Sequence, residues 1–508
     1  MTIYSVQLRR LGLLCIVVLW LTLNIASLTS YPVPQVDDAW IGSTAVQFLR
    51  TGEFGLPIFG DISGSSRNYV HLGRLFSAGL ALVFKVFGVG LAQGRALGLV
   101  GALAGAYLLF ALGNRLYGRT AGALAGLLYL FSWRVFYMSH MVRAEVWVNA
   151  GGLACLLLFL KLKEARATRL AFLLGLAAAA LVDIYTTFVY YTVVVSVAML
   201  FEFRRREEWG RVGAYALGGA LGSAYWLAVH LLPDPALALA QWRALSYDYF
   251  HVGFGLSSLL SPLLSLPFYV RVGLVGYSRL GFLEAAYVFG GLAVLLIRRG
   301  NADKRMLWAW LIFWLSYFYI VPGKGLYHLV LFVPFFCAAI AAAVVGLADW
   351  AQARFPKFPA AAYAALLAAP LMIAYAGGDV SLAWRSRVIN YDQYASQLSS
   401  LVPADAGILG EGTWWWTFYE SQFTADHYLL LYNIGRPPLD AASIVQAVIK
   451  ERNVRVILMD ERLSSFYLET KEGSNNDLYV ALTEYVGARC QSAGVVEGYF
   501  YGVEQGGP

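Results

Sequence analysis

"LGLLCIVVLWLTLNIASLTSYPVPQVDDAWIG" occupies residues 11–42 and joins an apolar run to a pair of carboxylates. The run is about eighteen residues long, and Asp37 and Asp38 follow about nine residues after its end. Arg9 and Arg10 precede it, as in a signal peptide, but the chain that follows is itself rich in apolar segments. We therefore interpret the run as an uncleaved first transmembrane span, which leaves the two carboxylates beside a bilayer.

The composition is that of a membrane protein. Of 508 residues, 59% are hydrophobic and 14% are charged, and the mean hydropathy is +0.60. Soluble domains are roughly half apolar and a quarter charged, so we predict a polytopic membrane protein with some soluble mass. The net charge of +7 does not indicate nucleic acid, because no basic cluster is interleaved with stacking aromatics. The four cysteines form neither a disulfide framework nor a zinc pattern.

Eleven segments are long enough to cross roughly 30 Å of hydrocarbon. They lie at residues 11–29, 95–113, 119–138, 145–161, 168–184, 186–203, 211–231, 281–297, 306–321, 326–346 and 359–376. A twelfth candidate, residues 72–87, is only about sixteen residues long and carries Arg74 and Lys85. We predict that this segment is an interfacial or re-entrant helix and does not cross the membrane.

The positive-inside rule assigns the two sides of the membrane. If residues 72–87 do not cross, nearly every Lys/Arg cluster falls in cytoplasmic connections, such as "KLKEARATR" (161–169) and "FRRREEWGR" (203–211). The outer side then receives the long loops 30–94 and 232–280 and everything after about residue 377. We therefore predict a transmembrane domain, residues 1–378, in the plasma (inner) membrane and an extracytoplasmic α/β domain, residues 379–508.

The C-terminal domain has its own patterns. "SIVQAVIKERN" (443–453) is typical of an amphipathic helix, and "VRVILMD" (454–460) of a short buried strand. The aromatic stretch "GTWWWTFYE" (412–420) is compatible with a strand, a sugar-stacking surface or a membrane-interface belt. Core or belt on one side and ligand contact on the other remain open alternatives.

Polar residues that fall on the outer side at membrane depth are the candidates for function, because charges there are costly. They are Asp37, Asp38, His71, Arg74, His140, Arg143, Glu145, Asp183, Lys324, Tyr327 and His328. A carboxylate can act as a general base toward an acceptor, while Lys, Arg and His can bind a phosphate. The same surface thus carries both halves of a transfer reaction.

Each candidate also has a structural alternative. Arg143 and Glu145 can pair with each other, Asp38 can cap a helix that starts near Ala39, and His328 can be a core histidine. Adjacent helical residues point about 100° apart, so one acid of the Asp37 and Asp38 pair acts in chemistry and the other caps or orients. Together with Glu145 the pair is also compatible with a divalent cation, but the residues do not require one.

Four stretches resemble one family in order. They are "VDDAWIGSTAVQFLRTGEF" (36–54), "HLGRLFSAGLALVFKVFG" (71–88) with the "GNRLYGR" turn after it, "SHMVRAEVWVN" (139–149) and "PGKGLYHLVLFVPFFCAAIA" (322–341). They resemble the bacterial GT-C membrane glycosyltransferases that group with the aminoarabinose lipid A transferases and protein O-mannosyltransferases. The resemblance covers roughly residues 10 to 350. It differs in having Asp38 where the family usually has Glu and Glu145 where Asp is more usual.

The resemblance implies a GT-C fold and inverting transfer of a sugar from a polyprenyl-phosphate donor to a lipid, glycan or protein acceptor outside the membrane. It implies Asp37 as catalytic base and Glu145 as the second acidic residue, with His71 and Lys324 facing the donor phosphate. A transporter or flippase for a lipid-linked substrate is the alternative, and it predicts inverted repeats and charges at the bilayer centre. A non-catalytic scaffold whose tail binds a partner is the third reading.

Overall fold

The computed structural model of the protein is mainly helical. It describes residues 3–62, 64–70, 72–244, 267–268, 271, 281–320, 326–388, 391–434, 436–460, 463 and 473–496. The helices in its first part are α1 (Ile3–Ser27), α2 (Val36–Thr51), α3 (Arg74–Phe87), α4 (Leu91–Tyr117), α5 (Arg119–Phe131), α6 (Trp133–Ser139), α7 (Glu145–Ala165), α8 (Thr168–Ala180), α9 (Val189–Glu202), α10 (Trp209–Trp226) and α11 (Pro235–Arg243).

The second part continues with α12 (Gly281–Arg298), α13 (Asn301–Tyr319), α14 (Val333–Arg354), α15 (Ala360–Arg385), α16 (Tyr391–Leu401), β1 (Gly407–Gly410), β2 (Phe423–Ala425), α17 (His427–Leu431), α18 (Ala441–Glu451), β3 (Val454–Ile457) and α19 (Gly473–Arg489). Short 3-10 turns lie at Pro57–Phe59, Leu181–Asp183, Thr186–Phe188, Arg206–Glu208, Leu326–Phe332, Ser386–Val388 and Gly412–Trp416, and a π turn lies at Leu227–Leu231.

Each of the eleven predicted spans coincides with a helix or a helix pair. Among the described residues, six helices are long and apolar enough to cross a bilayer on their own, and the pair α5 and α6, bent by 56°, makes a seventh if it is one span. The bend falls at Ser132, whose extended backbone (φ −63°, ψ 123°) interrupts the helical hydrogen bonds. The remaining predicted spans are helices of shorter or more polar sequence, α1, α8, α9 and α13. The predicted polytopic helical fold is confirmed.

Small residues let neighbouring helices approach closely. On α8 a Cβ added at Gly175 would meet the backbone of Tyr215 on α10, and one at Gly218 on α10 would meet the Phe172 carbonyl on α8. Membrane helices associate through such packing because lipid supplies no hydrophobic drive between them. The small-residue faces therefore fix the pairing of α8 with α10.

The basic connections gather at one end of the helical bundle. Arg115 pairs with Glu164, Arg166 pairs with Glu208, and the Lys163 ammonium lies 2.5 Å from the Glu202 carboxylate. These pairs join three connections that the sequence assigns to the same side of the membrane. The ends of the helices that carry Asp37, Arg143 and Asp183 lie away from them.

Helix α3 has the amphipathic character predicted for residues 72–87. Phe76, Leu80 and Phe84 are buried against the rest of the protein, whereas Leu82 and Phe87 are 63% and 70% exposed. Because such exposed apolar residues are stable in lipid rather than water, the helix is suited to the membrane interface.

The C-terminal region contains a small parallel sheet in the order β2-β1-β3. The predicted helix and strand correspond to α18 and β3. The prediction that "GTWWWTFYE" can be a strand is wrong, since Gly412–Trp416 forms a 3-10 turn. All three of its tryptophans are buried, and a Cβ added at Gly42 on α2 would lie 2.7 Å from Trp416. The tryptophans thus pack the C-terminal region onto α2 as part of a shared core.

Helix α15 runs across the predicted domain boundary at 378/379 without a break. The two-domain division stays a prediction, because the first outer loop and the C-terminal region contribute to one apolar cluster. This cluster surrounds α2, the helix that carries Asp37 and Asp38.

Candidate active site

Helix α2 places both acids of the pair in its first turn. It begins at Val36, three residues before the start near Ala39 that the sequence suggested, with Gln35 as N-cap. The Gln35 backbone N–H donates to the Asp38 carboxylate at 3.1 Å, which completes a capping box. Negative charge at this end is also favoured by the helix dipole.

Asp38 is fully buried, and protein donors saturate it. Arg95 on α4 donates to its Oδ2 at 2.7 Å, and the Val142 backbone N–H donates to its Oδ1 at 2.5 Å. Arg95 also donates to the carbonyls of Leu28 and Pro32 at 3.0 and 2.8 Å. Asp38 and Arg95 therefore join the segment before α2, α4 and the turn before α7 into one unit.

Asp37 points to different partners, as expected for adjacent residues on a helix. Its side chain remains 24% exposed and forms an ion pair with Arg143. Arg143 in turn donates to Glu145 Oε1 from Nε at 3.0 Å and from Nη2 at 2.6 Å. The Arg143 guanidinium thus pairs with two carboxylates. Glu145 is fully buried, and Asp37 is partly exposed.

Two further side chains border this arrangement. The Tyr185 hydroxyl lies 3.5 Å from Arg143 Nη2, and His328 Nε2 lies 3.7 Å from Glu145 Oε1. We call Asp37, Arg143, Glu145, Tyr185 and His328 the Asp37 cluster. Four of these residues are predicted site residues. Tyr185 is not, because nothing in its local sequence distinguishes it from the many other aromatic residues.

Burial alone would lower the pKa of Arg143, but the carboxylates of Glu145 and Asp37 outweigh it and raise that pKa. The guanidinium therefore stays charged and holds the Asp37 side chain from one side. The second oxygen of the buried Glu145, Oε2, has no hydrogen-bond partner in the described part of the chain. Within the Asp37 cluster, Glu145 Oε2 can therefore accept a further hydrogen bond.

Asp183 lies in a second arrangement, which we call the Asp183 cluster: Asp183, Arg74, Tyr225 and His230. Asp183 is fully buried and accepts from the Arg74 backbone N–H at 3.1 Å, the Tyr225 hydroxyl at 2.7 Å and His230 Nε2 at 2.6 Å. The Arg74 side chain turns instead to Asn68 at 3.0 Å and to the Phe54 ring. Burial lowers the pKa of Arg74.

His230 and Tyr225 are further residues that the sequence analysis did not select. The signal for His230 was present, because a histidine inside the apolar stretch "YWLAVHLL" (225–232), at the end of α10 and in the π turn after it, is costly unless it has a partner. His140 is also buried, with its ring nitrogens near the Phe136 carbonyl at 2.7 Å and the Ser27 hydroxyl at 3.1 Å. It joins α6 to α1 and lies apart from both clusters.

His71, Lys324 and the side chain of Tyr327 lie outside the described residues, and their predicted roles stay predictions. So do the predicted substrate contacts of Arg74, Asp38 and Asp183, although the structure gives each of them a protein partner.

A divalent cation does not fit the set Asp37, Asp38 and Glu145. Arg143 bridges Asp37 and Glu145, and Arg95 contacts Asp38, so one oxygen of each carboxylate already faces a guanidinium. Within the described ranges, no three His, Cys, Asp or Glu side chains come together as a ligand group. Hard cations need several unneutralised oxygens at one point, which this arrangement does not offer.

The sequence matches no protein-family model and no curated protein sequence. Its fold does match solved structures. Cupriavidus metallidurans ArnT bound to undecaprenyl phosphate has a TM-score of 0.62 and 14% identity over 98% of this chain and 99% of that one. An Archaeoglobus fulgidus oligosaccharyltransferase complex with Zn and sulfate has a TM-score of 0.58 and 13% identity, over 92% of this chain and 70% of that one.

A third structure is the Archaeoglobus fulgidus oligosaccharyltransferase AglB with an inhibitory peptide and a dolichol-phosphate. Its TM-score is 0.56 at 13% identity, over 92% of this chain and 72% of that one. At these identities the likeness concerns the fold. The chain therefore shares the fold of these membrane proteins, in agreement with the fold that the family resemblance implied.

Proposed function

We propose that the protein is a glycosyltransferase that moves a sugar from a polyprenyl-phosphate donor to a lipid, glycan or protein acceptor. The observation that supports this most is the Asp37 cluster, in which an accessible carboxylate is held by a charged arginine at the end of the bundle away from the basic connections. The fold adds support, since two proteins that share it were solved with undecaprenyl phosphate and with a dolichol-phosphate.

In this proposal Asp37 is the general base. Asp37 takes the proton from the acceptor hydroxyl while that oxygen attacks the anomeric carbon of the sugar. The bond between the anomeric carbon and the phosphate oxygen breaks, its electron pair stays on the phosphate, and polyprenyl phosphate leaves. A single displacement of this kind places the acceptor opposite the leaving group, so the anomeric configuration inverts.

Arg143 orients the base, and Glu145 orients Arg143. The guanidinium contacts Asp37 through Nη1 and Glu145 through Nε and Nη2, which fixes its plane. Cations near the leaving phosphate would lower the barrier by stabilising its charge. The residues proposed for that role are His71 and Lys324, on the grounds of the sequence resemblance.

The location suits a lipid donor. α3 packs against α2 and exposes Leu82 and Phe87, which supports a membrane interface close to Asp37. A phosphate attached to a polyprenyl chain lies at that depth, with its chain in the hydrocarbon. We accordingly propose the extracytoplasmic face of the plasma membrane as the side on which transfer takes place.

The test is sugar transfer in proteoliposomes with a panel of labelled undecaprenyl-phosphate sugars and an envelope extract as acceptor. We expect Asp37→Asn to lose transfer by about a thousandfold, since general bases contribute about 10² to 10⁴ in rate. Asp234→Asn is the matched control, because Asp234 also lies at a helix start but is exposed and only caps α11. The control is expected to transfer at the wild-type rate.

Two outcomes would contradict the proposal. One is an Asp37→Asn protein that is folded and fully active. The other is movement of the lipid-linked sugar across the bilayer without transfer, which would favour the transporter. Because an arginine already contacts each of the three carboxylates, we also expect transfer to survive EDTA within about twofold.

A further inference from the structure

The carboxyl edge of the C-terminal sheet carries a group of charged residues. Glu411 directly follows β1, and Asp426 and His427 directly follow β2. The two strands are parallel, and the Asp426 N–H donates to the Gly410 carbonyl at 2.8 Å, so these residues lie side by side. The carboxyl edge of a parallel sheet is where ligands of α/β domains bind most often.

This edge faces the start of α2. A Cβ added at Gly412 would lie 2.6 Å from Val36 Cγ2, so the backbone after Glu411 touches the residue before Asp37. From the other direction, the Phe59 ring stacks on His427 with centroids 6.1 Å apart. Phe59 also packs edge-on against Trp40, one turn after Asp37, at 5.1 Å.

His427 is a basic side chain of this edge, and it lies within electrostatic reach of the proposed base. Its Nδ1 lies 3.2 Å from the Asp426 carboxylate. Burial on its own lowers the pKa of His427, but Asp426 raises it above its ordinary value, and the charges of Glu411 and Asp37 add to that effect. His427 keeps 19% of its side chain exposed and Asp37 keeps 24%, so both can reach a bound substrate.

We propose that His427 lies on the acceptor side of the site, where it binds an uncharged, hydroxyl-rich acceptor and positions it against Asp37. This inference rests on the proposed glycosyl transfer. An imidazolium donates to a hydroxyl oxygen, and that hydroxyl can then give its own proton to Asp37. The edge contributes Glu411 and Asp426 beside Asp37, and so much negative charge disfavours a phosphorylated acceptor.

The first experiment separates transfer from hydrolysis. Wild-type protein and His427→Gln are given the labelled donor that the panel identifies, with and without acceptor. We expect His427→Gln to raise the acceptor KM at least tenfold and leave hydrolysis of the donor by water within about twofold. Arg455→Gln is the control, because it removes an exposed cation of the same domain that pairs with Asp405.

The pH profile gives a readout that a merely structural role would not move. Wild-type transfer is expected to fall at alkaline pH as His427 loses its proton, and the His427→Gln profile to lack that limb. In the described part of the chain, the charges that act on His427 include Asp426 and Glu411 from the sheet edge and Asp37 from α2. They raise the pH at which the limb appears.

The acceptor class is tested with two lipid probes and one free sugar. Monoglucosyldiacylglycerol is expected to accept sugar or compete for the acceptor site, whereas phosphatidylglycerol is not. Methyl glucoside, compared with the glycolipid, shows whether the lipid part is needed. Efficient use of phosphatidylglycerol alone would overturn the proposed acceptor class.

Failure of the inference can be distinguished from failure of the proposed function. A wild-type protein that neither transfers nor hydrolyses any donor overturns the proposed function and the inference with it. An active wild-type protein whose acceptor KM is unchanged in His427→Gln overturns the inference alone. A parallel loss of transfer and hydrolysis does the same, because it would make His427 a structural or donor-side residue.

Discussion

The Asp37 cluster and the Asp183 cluster each surround a carboxylate with arginine, tyrosine and histidine, but they satisfy it differently. Asp183 is fully buried, and donors from Arg74, Tyr225 and His230 reach its two oxygens. Asp37 is 24% exposed and depends on one guanidinium that it shares with Glu145. A buried carboxylate whose oxygens already accept hydrogen bonds from the protein is suited to a structural role. An accessible carboxylate that can still accept a hydrogen bond is suited to react with a substrate.

Asp38 belongs with Asp183 in this comparison, although it is adjacent to Asp37. Its oxygens receive Arg95, Val142 and Gln35, and it is fully buried. Asp38 therefore has a structural role, whereas Asp37 has the proposed reacting role. Substitutions that change the charge of each cluster can test this assignment.

The largest expected effect follows from Arg143→Gln. This change leaves the buried Glu145 without its cation, and removal of one partner from a buried ion pair costs about 3–5 kcal/mol of unfolding free energy. Thermal unfolding in detergent measures the loss, and sugar transfer is expected to disappear with it. The double variant Arg143→Gln/Glu145→Gln replaces both charges and is expected to recover most of the stability but not the activity.

A double variant as unstable as Arg143→Gln alone would contradict this account of the Asp37 cluster. It would mean that Arg143 stabilises the fold through contacts other than Glu145. Recovery of both stability and transfer would instead contradict the role of Arg143 as the group that orients Asp37.

Asp183→Asn has a smaller expected effect and the opposite profile. The amide keeps the shape of the carboxylate but weakens its bonds to His230 and Tyr225, which costs about 1–3 kcal/mol for a buried group. Transfer at a temperature where the variant is folded is expected to stay within about threefold of wild type. A selective loss of transfer with unchanged unfolding temperature would place Asp183 with Asp37 and remove the distinction between the clusters.

Much of the fold could be predicted because a membrane span is recognised from a single continuous run of apolar residues. Runs of apolar residues predicted the positions of eleven helical segments, and the short length and charges of residues 72–87 distinguished helix α3 from the predicted spans. The capping potential of Asp38 was also readable from its place at a helix start. These features depend on neighbours a few residues away.

Pairings between distant residues could not be predicted. Arg95 lies 57 residues from Asp38, and His230 lies 47 residues from Asp183. Such pairs depend on which helices pack together, and the small-residue contacts that decide this have no local periodicity. The tryptophan turn is a further case, since composition could not tell a shared core with α2 from an exposed stacking surface.

The smallest expected effect uses pH to connect the Asp37 cluster with the C-terminal sheet. The folded protein raises the pKa of His427 above 6.5, because Asp426, Glu411 and Asp37 outweigh the effect of burial. The stabilisation is therefore complete below about pH 6.5 and is lost as the pH rises through the folded pKa. Unfolding temperatures at about pH 6 and about pH 9 are expected to differ more in wild type than in His427→Gln, with the wild type more stable at the lower pH. Asp37→Asn removes one of the charges and is expected to shift the loss to lower pH, whereas Asp183→Asn, whose charge is enclosed by its own donors, is expected to leave it in place. If the pH at which the stabilisation is lost shifts equally in Asp37→Asn and Asp183→Asn, His427 responds to the overall charge around it. That outcome would contradict a specific interaction between Asp37 and His427.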